Sequence, residues 1–127
     1  DRIDIRHHML PQSRSFLGDS LEQPESSAEI ATRVLVARER QARRLQSTPW
    51  RTNGEGAGPW LRSHLPLPGD LSPLEKALNR GLLSARGVDK VLRLAWTVAD
   101  LAGEDRISAA SLRVAMQLRQ GMFHEAA

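Results

Sequence analysis

Arg86, Arg93 and Asp100 are spaced seven residues apart, with Lys90 and Thr97 at the i+4 positions between them. On a helix that spacing draws one polar stripe. Arg86 falls in the first turn of the helix read below, where a cation opposes the helix dipole. A bound phosphate reverses the sign, because backbone N–H groups and the guanidinium then converge on one anion. A solvated arginine on an exposed face is the plainer reading, and the residues alone leave both open. Arg2, within Asp1-Arg2-Ile3-Asp4, is another cation that pairs with a carboxylate, reaches an anionic ligand or simply faces solvent. Arg33, Arg40 and Arg44 make a third set, spaced seven and four apart, with Arg43 nearby. Such a stripe can follow a nucleic-acid phosphate backbone. Glu29 and Glu39 interleave with it, so a solvated charged face is the competing reading.

Other chemistries are poorly served. The 127 residues include no Cys, which removes disulfides, thiol nucleophiles and Cys-containing zinc sites. His7-His8, His64 and His124 are scattered, with no carboxylate at metal-ligand spacing, so no metal site is expected. Gly54-Glu55-Gly56-Ala57-Gly58 is glycine-rich, but no Gly-Lys-Ser/Thr follows it, so it reads as flexible loop. No nucleophile elbow brings Ser, His and Asp together. There is neither a phosphate-loop lysine nor an acidic magnesium-binding strand. Tyr is absent and only Phe16, Phe123, Trp50, Trp60 and Trp96 are aromatic, which argues against a β-sandwich or a base-stacking platform. No apolar run approaches a membrane span, and no signal peptide is present. The net charge is +3, from 18 Lys and Arg against 15 Asp and Glu. The chain opens on Asp-Arg rather than Met, as a processed terminus or a piece of a longer protein does.

The elements that must hold these residues are mostly helical. Residues 2–9 alternate Ile3 and Ile5 with Asp4 and Arg6, the pattern of a short unpaired or edge strand. Residues 10–25, with Pro11, Gly18 and Pro24, read as linker. Ser26 and Glu29 form a capping box for a helix reaching Leu45, with Ile30, Val34, Ala37, Gln41 and Leu45 on one side. Residues 46–58 loop, and residues 59–64 make a short helical turn. Ser72 and Glu75 suggest a second capping box, for a helix ending near Leu83. Ser84 caps a helix to about Ala102, apolar on two sides and therefore central. Gly103 stops it, and a last helix follows Ile107-Ser108 and ends near Gly121. The expected fold is mostly α, a small bundle of about four helices and one helical turn.

Several segments together carry a resemblance. In order they are Asp1-Arg2-Ile3-Asp4, Glu25-Ser26-Ser27, Ala37-Arg38-Glu39-Arg40-Gln41, Leu83-Ser84-Ala85-Arg86, and the run from Val98 through Asp100, Gly103 and Glu104 to Ile107. This resembles the C-terminal portion of magnesium-chelatase-like AAA+ ATPases, in particular the ComM/YifB-type branch linked to bacterial DNA uptake and branch migration. The likeness covers most of the chain and is weakest at 10–24 and 46–70. Pro49-Trp50-Arg51-Thr52-Asn53 departs from the family, which continues into an Asn-containing segment and then a short helix.

The resemblance implies an AAA+ lid domain over 25–127, with the tail strand of an upstream α/β domain and a linker at 1–24. It maps a trans arginine finger onto Arg2 and the sensor-2 arginine, facing ATP phosphate, onto Arg86. Arg93 is a weaker candidate on the same stripe. Both guanidinium groups offset charge on a transferring phosphoryl group. ATP and Mg2+ belong to the parent protein, and no cofactor is expected for the fragment, which is no enzyme alone. The implied partners are the upstream domain and neighbouring subunits of a hexameric ring, with DNA as a further partner and a cytoplasmic location. Chelation of magnesium by a porphyrin does not follow from the family name. The alternative function is a free-standing basic helical module that binds DNA or a protein, through Arg33, Arg40 and Arg44.

Overall fold

The structure, a computed structural model, describes residues 3–7, 9 and 24–120. Among these residues it contains five helices and no strand. Arg2, His8, the segment 10–23 and the last seven residues, with His124, lie outside the described residues.

Helix α1, Ser27–Leu45, begins at the predicted capping box. Ser26 Oγ accepts from Glu29 N–H at 3.1 Å, and Glu29 Oε1 accepts from Ser26 N–H at 3.3 Å. The apolar stripe of this helix outruns the core. Ala37 and Leu45 are buried, whereas Ile30 and Val34 are 43% and 37% exposed. Nineteen residues make a rod of roughly 28 Å, and only its C-terminal half meets the rest of the domain. The free half is braced by its cap and by an ion pair from Arg33 to Glu25.

Helix α2, Gly58–His64, is the predicted short turn. A β-carbon on Gly58 would meet the Asp89 carboxylate, so any larger residue there requires that side chain to shift.

Helix α3, Ser72–Asn79, corrects two expectations. Ser72 is not a capping residue but the first helical residue, and Asp70 provides the acceptor instead. Asp70 Oδ1 accepts from Ser72 Oγ at 2.7 Å and from Ser72 N–H at 3.0 Å. The helix also stops four residues before Leu83. The carbonyl of Ala77 takes both Leu82 N–H and Leu83 N–H, at 2.9 and 3.2 Å, and the chain turns there.

Helix α4, Ala85–Ala102, is central, as its two apolar sides predict, and packs against α1, α3 and α5. Ser84 Oγ caps it through Gly87 N–H at 3.0 Å. Gly103 ends it with a φ of 75°, a conformation in which a β-carbon is strained. Val91, Leu92, Ala95, Trp96 and Ala99 form the middle of the core. Helix α5, Ala109–Gln120, adds Leu112 and Ala115, while α3 adds Leu74 and Ala77. The connecting segments contribute Leu83 and Ile107.

The expected strand is not formed. Ile3 and Ile5 remain 57% and 50% exposed, so their alternation buries no face. The segment instead docks by single bonds on α5, with Arg6 N–H donating to Leu118 O at 2.8 Å.

The Asp70 cap yields a pH prediction. The Ser72 hydroxyl and then its N–H donate to the Asp70 carboxylate and hold its pKa below the usual value. A lowered folded pKa stabilises above the ordinary aspartate range, and that contribution is lost as pH falls through the lowered value. Asp70→Ala is therefore expected to lower the melting temperature at neutral pH. The difference from the unsubstituted chain should close in acid, as thermal melts across a pH series will measure.

Candidate functional site

The polar stripe of α4 is brought together as predicted, and it works mainly as a grip. At its C-terminal end Asp100 is 3% exposed. Arg44 of α1 donates to both of its oxygens, Nη1 to Oδ1 and Nη2 to Oδ2, each at 2.6 Å. The Arg44 guanidinium also lies 4.3 Å from the centroid of a Trp96 ring, so it is stacked as well as paired. Asn53 completes the cluster. Its Oδ1 accepts from Arg44 Nη2 at 2.9 Å, while its Nδ2 donates to Thr97 Oγ1 at 3.1 Å and to Asp100 Oδ2 at 3.2 Å. Its backbone N–H donates to Gln41 Oε1 at 2.7 Å. Arg44 Nε is buried without a hydrogen-bond partner, a cost that the two short bonds to Asp100 must outweigh.

Further up the stripe, Arg93 Nε donates to Gly56 O at 3.0 Å and ties down the glycine-rich loop. Lys90 Nζ lies 3.1 Å from Asp4 Oδ1 and holds the N-terminal segment. Arg86, at the N-terminal end, is exposed and has no hydrogen bond or ion pair among the described residues. It borders a cavity of about 560 Å3 with Arg62, Leu78, Ala85, Val88 and Asp89. Arg62 and Asp89 form an ion pair there, so the uncompensated charge of the cavity is that of Arg86.

Three arginines of α1, Arg33, Arg40 and Arg44, have protein partners. Arg33 pairs with Glu25, and this contact raises the Arg33 pKa and lowers that of Glu25. Arg40 Nη1 donates to Asp105 Oδ1 at 2.9 Å, and Arg44 is held by Asp100. The 98–107 run is likewise accounted for by the joint between α4 and α5. Asp100 grips α1, Gly103 turns the chain and Asp105 meets Arg40. Glu104 Oε1 accepts from Ser108 Oγ at 3.1 Å and from Ser111 Oγ. Sequence reasoning missed the role of Asn53, whose partners on α4, Thr97 and Asp100, lie 44 and 47 residues away and leave no local pattern.

The family described as magnesium chelatase, subunit ChlI C-terminal, matches residues 24–119. The chain belongs to this family. Uncharacterized proteins of Mycobacterium bovis and Mycobacterium tuberculosis are each 41% identical to it over 123 residues, covering 94% of this chain and 24% of theirs. The uncharacterized protein YifB of Salmonella typhimurium is 31% identical over 119 residues, covering 94% of this chain and 23% of its own. The chain thus spans about a quarter of the length of the curated relatives it matches. No solved structure matches. Among the described residues no helix is long and apolar enough to cross a membrane.

The two arginine pairs should differ sharply in energetic weight. Asp100→Asn leaves the Arg44 charge buried without a counter-charge, which costs about 3–5 kcal/mol. Arg40→Ala removes a pair whose Asp105 side chain is 94% exposed, and about 1 kcal/mol or less is expected. Urea unfolding of both variants measures the difference.

Proposed function

We propose that the chain is the lid domain of a magnesium-chelatase-like AAA+ ATPase, with Arg86 as its sensor-2 contact to an ATP phosphate. One observation carries the reading. Of the charged residues on the α4 stripe, Arg86 is the one without a partner among the described residues, and it stands in the first helical turn. An exposed guanidinium beside free helical N–H groups suits the terminal phosphates of a nucleotide. The described residues supply no cluster of three or more metal-ligating side chains, so Mg2+ would have to be held by the nucleotide and the rest of the parent protein.

In the parent, Arg2 is the arginine finger offered to the nucleotide of a neighbouring subunit, and Arg86 is the sensor-2 contact to an ATP phosphate. Charge stabilisation of the transferring phosphoryl group is the work of both. This requires an upstream α/β domain, carried at its tail by 1–24, and a cytoplasmic ring of subunits, hexameric by family resemblance. DNA is the substrate that the ComM/YifB-type branch suggests for the motor. The reading as a free-standing DNA-binding module draws on Arg33, Arg40 and Arg44, whose pairing with Glu25, Asp105 and Asp100 gives it less support.

The expected result for Arg86→Ala in the full-length protein is ATP turnover lower by roughly a hundredfold or more, with an unchanged circular dichroism spectrum. Full turnover in that variant removes the sensor assignment. Arg2→Ala subunits mixed into unsubstituted rings should depress turnover more than in proportion to their number. Strict proportionality contradicts action in trans.

A further inference from the structure

Another cavity, of about 380 Å3, opens beside the middle of α4, lined by Asp4, Gly54, Lys90, Arg93, Leu94 and Thr97. It shares no residue with the cavity at Arg86. Arg93 stands seven residues further along the helix, about 10 Å along its axis. The cavity holds two cations, Lys90 and Arg93, and one carboxylate, Asp4. That carboxylate serves Lys90, whose Nζ lies 3.1 Å from Asp4 Oδ1. One positive charge is left over, and it is that of Arg93.

Among the described residues nothing neutralises it. Arg93 Nε donates to a neutral acceptor, Gly56 O, and Nη1 and Nη2 donate to no acceptor among those residues. The two carboxylates of α4 are engaged elsewhere, Asp89 by Arg62 and Asp100 by Arg44. Glu55, in the adjoining loop, accepts from the N–H groups of Arg51 and Thr52. Thr97 Oγ1 donates to Arg93 O and accepts from Asn53 Nδ2, so it does not serve the guanidinium. Unlike the exposed Arg86, Arg93 is partly buried, so water compensates its charge less completely. A guanidinium fixed at Nε still presents two Nη groups as a fork, a geometry that takes two oxygens of one anion.

We propose that Arg93, with Lys90 beside it, forms a binding site for the phosphodiester of a nucleic-acid strand. The site is distinct from the nucleotide contact assigned to Arg86 and does not depend on it. Charge selects the diester. One phosphodiester carries a single negative charge and matches the one left over, whereas a phosphate monoester carries about 1.5 to 2 at neutral pH and exceeds it. Asp4 sets this preference by neutralising Lys90. The net charge of +3 on the whole chain favours a polyanion over an isolated carboxylate.

The test is binding of a labelled oligothymidylate to the 127-residue chain, read by fluorescence anisotropy at several salt concentrations. Arg93→Gln is expected to weaken binding roughly tenfold and to lower the slope of log affinity against log salt by about 0.7. Asp4→Asn leaves the Lys90 charge uncompensated and should tighten binding roughly threefold, a gain that damaged folding cannot produce. Inorganic phosphate and acetate, at ionic strength matched with chloride, should displace the strand less well than unlabelled oligothymidylate of equal phosphate content. Absence of strand binding, unchanged affinity in Arg93→Gln or weaker affinity in Asp4→Asn overturns the proposal. So does displacement by either ion that equals that of the unlabelled strand, which would assign the site to a free phosphate or to a carboxylate. None of these readouts involves ATP turnover, so the Arg86 assignment stands or falls separately.

Discussion

The bidentate bond between Arg44 and Asp100 is the constraint around which the domain is arranged. Both side chains are largely out of water, and each would be costly to bury alone. They therefore fix the register between α1 and α4 more narrowly than apolar packing does, since Ala37 and Leu45 could slide against a greasy neighbour. Asn53 extends the constraint to the loop between α1 and α2 by bonding Arg44, Thr97 and Asp100 together. Trp96 closes the cluster against the core. A helix, a loop and the central helix thus meet at one carboxylate.

The stripe on α4 runs from that buried end to an exposed one at Arg86. Asp100 and Thr97 hold the α1 joint, Arg93 holds the glycine-rich loop, and Lys90 holds the N-terminal segment. Arg86 is the last member, and it is the one whose charge is turned outward. A rigid helix anchored along most of one face can deliver its first turn to a ligand without reorganising. That is the preorganisation that electrostatic stabilisation of a transferring phosphate needs.

Much of this was legible in the sequence, and the reasons are local. The Ser26 box, the Ser84 cap and the Gly103 stop depend on neighbours within a turn, so α1 and α4 could be bounded closely. The stripe from Arg86 to Asp100 follows from helical periodicity. What the stripe touches could not be read, because Asn53, Gly56 and Asp4 reach it from 37 to 86 residues away. The same distance effect made Arg40 and Arg44 look like part of a free basic face, since Asp105 and Asp100 are remote in sequence. At Ser72 the local signal misled. Asp70 lies two residues earlier and offers a charged acceptor to the same backbone. The alternation of Ile3 and Ile5 misled for another reason: the segment meets helix ends, not a sheet.

A double-mutant cycle on Arg44 and Asp100 tests the account most directly. Arg44→Met, Asp100→Leu and the double variant would be compared with the unsubstituted chain by urea unfolding. A buried pair of this kind predicts that the two losses are strongly non-additive, with a coupling of about 2–3 kcal/mol and a double variant no less stable than either single one. Two losses that simply add would show that the pair does not fix the joint between α1 and α4, and would contradict the account.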